Sequence, residues 1–439
     1  MARIYNLTIL TLTLALTSAA FGQQSATDRS IANFQARASH SNAAADYDKL
    51  GAAYLQKGRE TSDFSYYQLA EKALTKSLEL TPATEMSSAA PLTHMAAVCM
   101  AEHRFTDAAD YASRALALGS GDLSPYGLLG DAHADMGDYD QAGRDYEKLL
   151  LHLSSPEPDP GLVYMRDSRV SYLKFIHGDD AGAIELARKA VNAAIALHMP
   201  SENVAWTYYQ LGEYLFLAGD LASAEAAYQE SVNQLPGYYR GLSGLAKVRV
   251  AQQKYQDAIE LYKKAIEEVP FPDFIAALGD VYEKAGQSKE AQKQYDLVEY
   301  IGHLSELNQQ TYNRELAVFY AERGIKLPQS LELAKKELEF RRDVYTQDVL
   351  AWSLYKNGKW KEAAIAMDKA LGLGTKDPNF YFHAGMIHRD LGDVDASHEY
   401  FQRALAINPN FHVFYADAAR QVLEKSPAKP TAKTERPGQ

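Results

Sequence analysis

A pattern of about 34 residues recurs along this chain from Ala44 to the C-terminal region, and each copy reads as two short amphipathic helices. Self-similarity at this period constrains the fold more than any single motif. One helix pair cannot bury its apolar face alone, so the copies must stack on their neighbours. Four stretches carry the pattern most fully. They are Tyr208-Tyr209-Gln210-Leu211-Gly212 with Gly219-Asp220, Ala224, Tyr228 and Pro236; Leu245-Ala246 with Tyr255, Ala258, Tyr262, Ala265 and Pro270; Leu278-Gly279 with Tyr282, Gly286, Ala291 and Tyr295; and Ala384-Gly385 with Gly392-Asp393, Phe401, Ala404 and Pro409.

The same phase extends through further copies beginning near Ala44, Ala89, Leu123, Tyr164, Gln310 and Val344, giving about ten helix pairs. Spacing stretches at Arg59 to Ser65, Ser154 to Gly161, His198 to Asn203 and Gly324 to Ser330, where loops are expected, most plainly at Pro156-Glu157-Pro158-Asp159-Pro160. Each recurring residue has a mechanical task. Gly or Ala after the Leu lets two helices approach closely. Gly-Asp closes the hairpin, the glycine ending one helix in the left-handed region and the Asp accepting from amides that open the next.

The bulky residue, Leu-Gly, aromatic, Gly-Asp, Ala, aromatic, Ala and Pro in this order resemble the tetratricopeptide repeat. The resemblance implies an all-α fold: a right-handed superhelical solenoid whose concave wall is made mainly of the first helix of each pair and holds extended or helical peptides. No Gly/Ser linker divides the chain, and alternating β-branched runs are scarce, so one elongated unit is expected over residues 44–423.

The N-terminus reads as an address. Met1-Ala2-Arg3, the apolar run from Ile4 to Leu16, and Ala20-Phe21-Gly22 before Gln23 form the three-part pattern of a secretory signal peptide over residues 1–22. The run is shorter than the roughly 20 residues of a membrane span. No cysteine follows the expected cleavage site, and Cys99 stands alone, which excludes an internal disulfide. Residues 23–43 read as a leader, partly disordered or helical, and residues 424–439 as a disordered tail rich in Pro and Lys. Periplasmic or secreted localisation in a bacterium is the expectation.

Lys and Arg number 45 against 57 Asp and Glu, a net charge of −12, so nucleic acid is a poor partner for this chain. Catalytic motifs are missing: Gly372-Leu373-Gly374-Thr375-Lys376 lacks the upstream glycine and strand of a phosphate loop and reads as a turn. Asp131 and Asp135 share a helix face from which His133 points away, and His383 and His388 are badly spaced for joint ligation. No metal, cofactor or catalysis is expected.

Binding is then the expected work, with a protein or peptide as partner and an envelope complex as the setting. Side chains of the first helices that the repeat pattern leaves unused include Met165, Arg169, Tyr172 and Phe175; Trp206, Tyr209, Glu213 and Phe216; Trp352 and Tyr355; and Phe382, Met386 and Arg389. Aromatic and Arg anchors dominate many interfaces. These residues are therefore the candidate peptide-binding face, with packing in a tightly curled core as the competing reading. The Lys/Asn clamp by which some members of the resembled family grip a C-terminal carboxylate is not reproduced at Asp48, Lys49 and Ala52 or at Thr93, His94 and Ala97. An envelope polysaccharide-binding module, or an enzyme with a site built from loop insertions, are the alternatives.

Overall fold

The computed structural model describes residues 25–149, 159–307 and 313–425. Among them the chain is helical throughout, without a strand. The expected signal peptide, the tail beyond Lys425, the proline run at 156–158 and the start of a copy at Gln310 lie outside the described residues.

A leading helix, Ala26–Ser41, occupies much of the expected leader. Ten hairpins follow. The first five pair Ala44–Thr61 with Ser65–Glu79, Ala89–Ala101 with Phe105–Ala117, Ser124–Asp135 with Tyr139–Lys148, Pro160–Ile176 with Asp180–Ala196, and Ser201–Leu217 with Leu221–Gln234. The next five pair Tyr239–Ala251 with Tyr255–Glu268, Pro272–Lys284 with Ser288–Leu307, Asn313–Arg323 with Leu327–Glu337, Val344–Lys356 with Trp360–Leu371, and Pro378–Leu391 with Val394–Ile407. Tyr415–Lys425 closes the stack. The loops expected after Arg59, His198 and Gly324 are shorter than their spacing suggested. Helices run on to Thr61 or begin at Ser201 and Leu327, and Pro328 is accommodated because the first helical turn needs no amide there.

The hairpin turns work as the residue types require. Gly137, Gly178, Gly219 and Gly392 all have positive φ, and Asp138, Asp179, Asp220 and Asp393 cap the following helices by accepting from the amides of Gln141, Gly182, Ser223 and Ala396. Inside each hairpin a first-helix glycine receives an aromatic ring of the second. A Cβ on Gly212 would stand 2.5 Å from the Tyr228 ring, and Gly130, Gly279 and Gly385 meet Tyr146, Tyr295 and Phe401 in the same way. The wholly buried alanines Ala142, Ala183, Ala224, Ala258, Ala291, Ala363 and Ala404 keep the helices close along the stack.

The solenoid winds tightly enough to meet itself. Residues about 200 positions apart touch: Thr375 Oγ1 donates to the Ile176 carbonyl at 2.6 Å, Asn408 Nδ2 to the Phe216 carbonyl at 2.7 Å, and the Val344 amide to the Tyr139 hydroxyl at 2.8 Å. Further contacts tie Ser62 to Tyr239 at 2.7 Å and Lys284 to Asp417 at 2.6 Å. The second superhelical turn therefore lies directly on the first, and the space enclosed by the first helices is the lumen.

Candidate functional site

A triad of side chains repeats along the stack. In the third hairpin the Tyr146 hydroxyl donates to Asp131 at 2.9 Å, and Arg169 of the next first helix closes on the same carboxylate at 2.8 Å. Two hairpins on, Tyr228 donates to Glu213 at 2.7 Å and Lys247 approaches it at 2.9 Å. Two further on, Tyr295 donates to Asp280 at 2.9 Å and Arg323 pairs with it at 2.6 Å. The acid follows the close-contact glycine directly, and the tyrosine stands 15 residues later. Where the ring is Phe401, which has no hydroxyl, the residue after Gly385 is Met386 and no acid is required. The repeat pattern contains the glycine and the ring but not the acid between them, whose signal in the sequence is a Gly-Asp or Gly-Glu step with Tyr 15 residues on.

This ladder accounts for two of the candidate binding residues. Arg169 is paired with Asp131, and Glu213, which lines the cavity described below, is paired with Lys247. Several candidate rings are core instead of wall. Phe175 is 2% exposed and stacks on Tyr214 with centroids 4.9 Å apart. Trp352 lies flat between Tyr355 at 4.9 Å and His383 at 4.1 Å, and Phe382 stacks on Tyr415 at 4.2 Å. Phe216, at 7% exposed, is covered where the loop carrying Asn408 and Phe411 crosses it. The expectation of an open aromatic groove is corrected for Phe175, Phe216, Trp352, Tyr355 and Phe382: a superhelix whose turns touch closes its concave face with its own side chains.

Tyr172, Trp206 and Tyr209 keep partial exposure. Burial pushes the Tyr172 hydroxyl well above the ordinary phenol value, with Asp343 and Tyr345 of the second turn nearby. Tyr209 is likewise raised, to about 12, by burial and by Glu213, and lies under the Arg240 guanidinium at 5.9 Å. Arg389 is on the surface, bonded to Asp390 at 2.7 Å and to the Tyr355 hydroxyl at 3.1 Å. The candidates are thus divided between the lumen, the core and the outer edge.

Residues weighed as metal ligands have protein partners. His133 Nδ1 sits 2.8 Å from Asp145, His383 Nδ1 sits 2.8 Å from Asp348, and Asp135 pairs with Arg341 at 3.2 Å. Gly372 to Lys376 is the loop entering the tenth hairpin, with Thr375 spent on the Ile176 carbonyl. Cys99 is wholly buried, and burial raises its thiol to about 12.

A cavity of about 240 Å³ lies where the fifth, sixth, seventh and tenth hairpins and the loop after Ile407 converge in the lumen. Its lining is mixed: Val250, Val281, Phe411 and Val413 are apolar, Asn379 and Asn410 offer amides, and the Glu213–Lys247 pair and Asp280 supply charge. Burial, with Glu322 nearby, pushes the Asp280 carboxyl up against the opposing pull of Arg323. Burial holds His412 down, to about 3, so it is neutral at neutral pH. The cavity is smaller than the about 300–1,000 Å³ of sites for drug-sized ligands, and suits a single side chain.

Profiles of the family described as Tetratricopeptide repeat match residues 179–239, 243–300 and 349–410, and a second profile of that description matches 123–151. No curated protein matches the chain. Among solved structures, yeast Tom70 is 13% identical, covering 91% of this chain and 92% of its own, with a TM-score of 0.41. A tetratricopeptide repeat protein from Parabacteroides merdae is 18% identical over 60% of this chain and 98% of its own, with a TM-score of 0.34, and MamA is 24% identical over 40% and 96%, with 0.32. With ten stacked hairpins, glycine-aromatic contacts in phase and Gly-Asp turns between the helices, the chain belongs to the tetratricopeptide-repeat proteins.

Proposed function

We propose that this protein is a non-catalytic, protein-binding scaffold of the bacterial cell envelope, which holds one side chain of a partner segment in the lumenal cavity. The mixed lining of that cavity carries the reading. Apolar walls from Val250, Val281 and Val413 reward burial of a side chain at about 25 cal/mol per Å², while the side-chain amide of Asn410 offers hydrogen bonds to the flanking peptide. Export rests on the three-part N-terminal pattern of residues 1–22 and on a chain with one cysteine, inert by burial. Repeats of this family are typically used for protein partners, and among the described residues no helix is long and apolar enough to cross a membrane.

The test is a photo-crosslinking amino acid at Val250 in protein expressed in its native host, beside the same group at the outward-facing Ile365. A protein adduct at Val250 that disappears when Ala277→Phe fills the cavity supports the reading. Adducts formed equally at Ile365, or unaffected by Ala277→Phe, remove the lumen as the site. Fractionation and N-terminal sequencing of the same material test export, with Gln23 or a residue a few positions earlier as the expected start.

A further inference from the structure

The contact between the two superhelical turns repeats with a fixed chemistry. On one side stand the turns of the third, fourth and fifth hairpins, each with a positive-φ glycine: Gly137, Gly178 and Gly219. A Cβ on these residues would strike the carbonyls of Arg342, Gly374 and Ile407. On the other side stand the loops that enter the ninth and tenth hairpins and the closing helix. They donate from the Arg342 amide, Thr375 Oγ1 and Asn408 Nδ2 to the carbonyls of Asp135, Ile176 and Phe216, which end the first helices, at 2.8, 2.6 and 2.7 Å. The seam thus joins a row of turns to a row of loops.

Each half of this seam also occurs without a partner among the described residues. The turns of the eighth, ninth and tenth hairpins are built like the seam turns, yet a Cβ on Gly324, Gly358 or Gly392 would meet nothing within 4 Å. Two residues after each seam glycine stand Tyr139, Asp180 and Leu221; at the same place on the free edge stand Lys326, paired with Glu299, Trp360, 42% exposed, and Val394, 50% exposed, with Leu391 beside the last. Among the described residues the opposite edge presents loops without a seam partner. The loop Leu118-Gly119-Ser120-Gly121-Asp122 entering the third hairpin shares Leu, Gly, a hydroxyl residue and Asp with Leu373-Gly374-Thr375-Lys376-Asp377 entering the tenth, and differs in kind at Gly121 against Lys376. Gly119 and Gly374 both have positive φ, and Asp122 and Asp377 both accept from the amide two residues on, that of Ser124 at 2.9 Å and of Asn379 at 2.8 Å. Ser120 stands where Thr375 makes its seam bond, but Gly119 and Gly121 face open space, and the loop entering the fifth hairpin exposes Leu197.

We propose that a second copy of this chain continues the superhelix, its loop edge at Ser120 and Leu197 seating on the turn edge at Trp360, Leu391 and Val394 of the first. The occupant is argued from the established seam: the chain already joins these two kinds of edge to each other, and its ends offer one of each. Such a contact is heterologous, so each added copy exposes a fresh edge and association is head to tail and open-ended. It does not depend on the lumenal cavity or on its ligand.

The experiment measures molar mass by sedimentation over a concentration series of the chain from Gln23. The wild type is expected to rise above the monomer with concentration. Trp360→Glu with Val394→Glu blocks the turn edge, Ser120→Glu with Leu197→Glu blocks the loop edge, and each variant is expected to stay monomeric with its thermal midpoint kept. Mixed one to one, the two variants each retain one good edge and should form a dimer and nothing larger. Ile365→Glu, at an exposed residue more than one helical turn along from Trp360, should assemble as the wild type does. If either blocked chain loses its fold, Trp360→Ser and Leu197→Ser replace it. A wild type that stays monomeric to its solubility limit, blocked chains that still assemble, or a mixture that stays monomeric each overturns the proposal.

Discussion

Asn408 donates its side-chain amide to the carbonyl of Phe216 at 2.7 Å, across 192 residues of sequence, and so bolts the end of the tenth hairpin to the end of a first helix one superhelical turn earlier. Its own Oδ1 accepts the Asn410 amide at 2.9 Å, so the bond is held in place from both sides. Asn408→Ala is expected to cost about 1–2 kcal/mol, the worth of a buried hydrogen bond. Amide exchange should quicken in the closing helix Tyr415–Lys425 more than in the leading helices. Asn408→Asp should cost more, since a carboxylate would face the same carbonyl. Urea melts with exchange measurements check both.

Gly178 and Gly358 have nearly the same backbone, φ +74° and +73°, but differ in what lies over them. Alanine at Gly358 pays only for the left-handed conformation, about 1–2 kcal/mol. At Gly178 the new methyl also strikes the Gly374 carbonyl across the seam, adding about 1–3 kcal/mol of overpacking. The thermal midpoint of Gly178→Ala should therefore fall clearly below that of Gly358→Ala, and equal midpoints would mean that the seam is loose in solution.

Within a hairpin the same logic applies to Gly212 and Gly279, on which Tyr228 and Tyr295 lie. Gly212→Leu and Gly279→Leu should each destabilise by at least about 1–3 kcal/mol, because the ring cannot withdraw without giving up its bond to Glu213 or Asp280. An unchanged midpoint by calorimetry would contradict the repeat phase at that position.

The Tyr228–Glu213–Lys247 triad can be dissected by a double-mutant cycle. Lys247 and Glu213 are 34% and 21% exposed, so solvent screens the pair. Lys247→Met should cost about 1–2 kcal/mol by leaving the carboxylate with one partner, and Glu213→Gln should cost a similar amount. The double variant should be less destabilised than the sum, since neither charge is then left alone. Additive losses would show that the two groups do not interact.

Asp377 caps the tenth hairpin by accepting the Asn379 amide, and burial, with Asp348 adding repulsion, raises its carboxyl to about 6 against the opposing pull of the Asn379 bonds. An acid whose folded pKa lies above its unfolded value of 3.8 makes the folded state bind more protons between those two values. Stability from this group is therefore lost as pH rises from about 4 to about 6, and stays lost above. Asparagine caps a helix as well as aspartate does and carries no charge. Asp377→Asn should be the more stable protein at pH 7.5, by up to the order of 3 kcal/mol, and should match the parent at pH 4. Denaturant melts at the two pH values check the difference, and a variant less stable at pH 7.5 would refute the sign.

The hairpins were legible because their determinants are local. Gly219-Asp220 ends one helix and caps the next within two residues, and Gly212 receives Tyr228 within the same repeat, so a single copy of the pattern carries both instructions. The acid at Glu213 could have been read in the same way, since Tyr228 lies 15 residues on. The fate of Phe175, Trp352 and Phe382 could not. Whether a first-helix ring faces a groove or a core depends on how far the superhelix closes, and small rotations at every hairpin interface add up over about 200 residues before the turns meet.

By itself the sequence determined an all-helical stack, its period, its turns, the close glycine-aromatic contacts and a chain with no cysteine pair. Those depend on backbone conformation and neighbour packing, which short-range residue order specifies. Only the tertiary structure decided that the second turn rests on the first, that Thr375 and Asn408 serve as bolts, and that Val250, Asn379 and Asn410 come together around a cavity. Contacts between residues so far apart follow from accumulated curvature, which no single repeat contains.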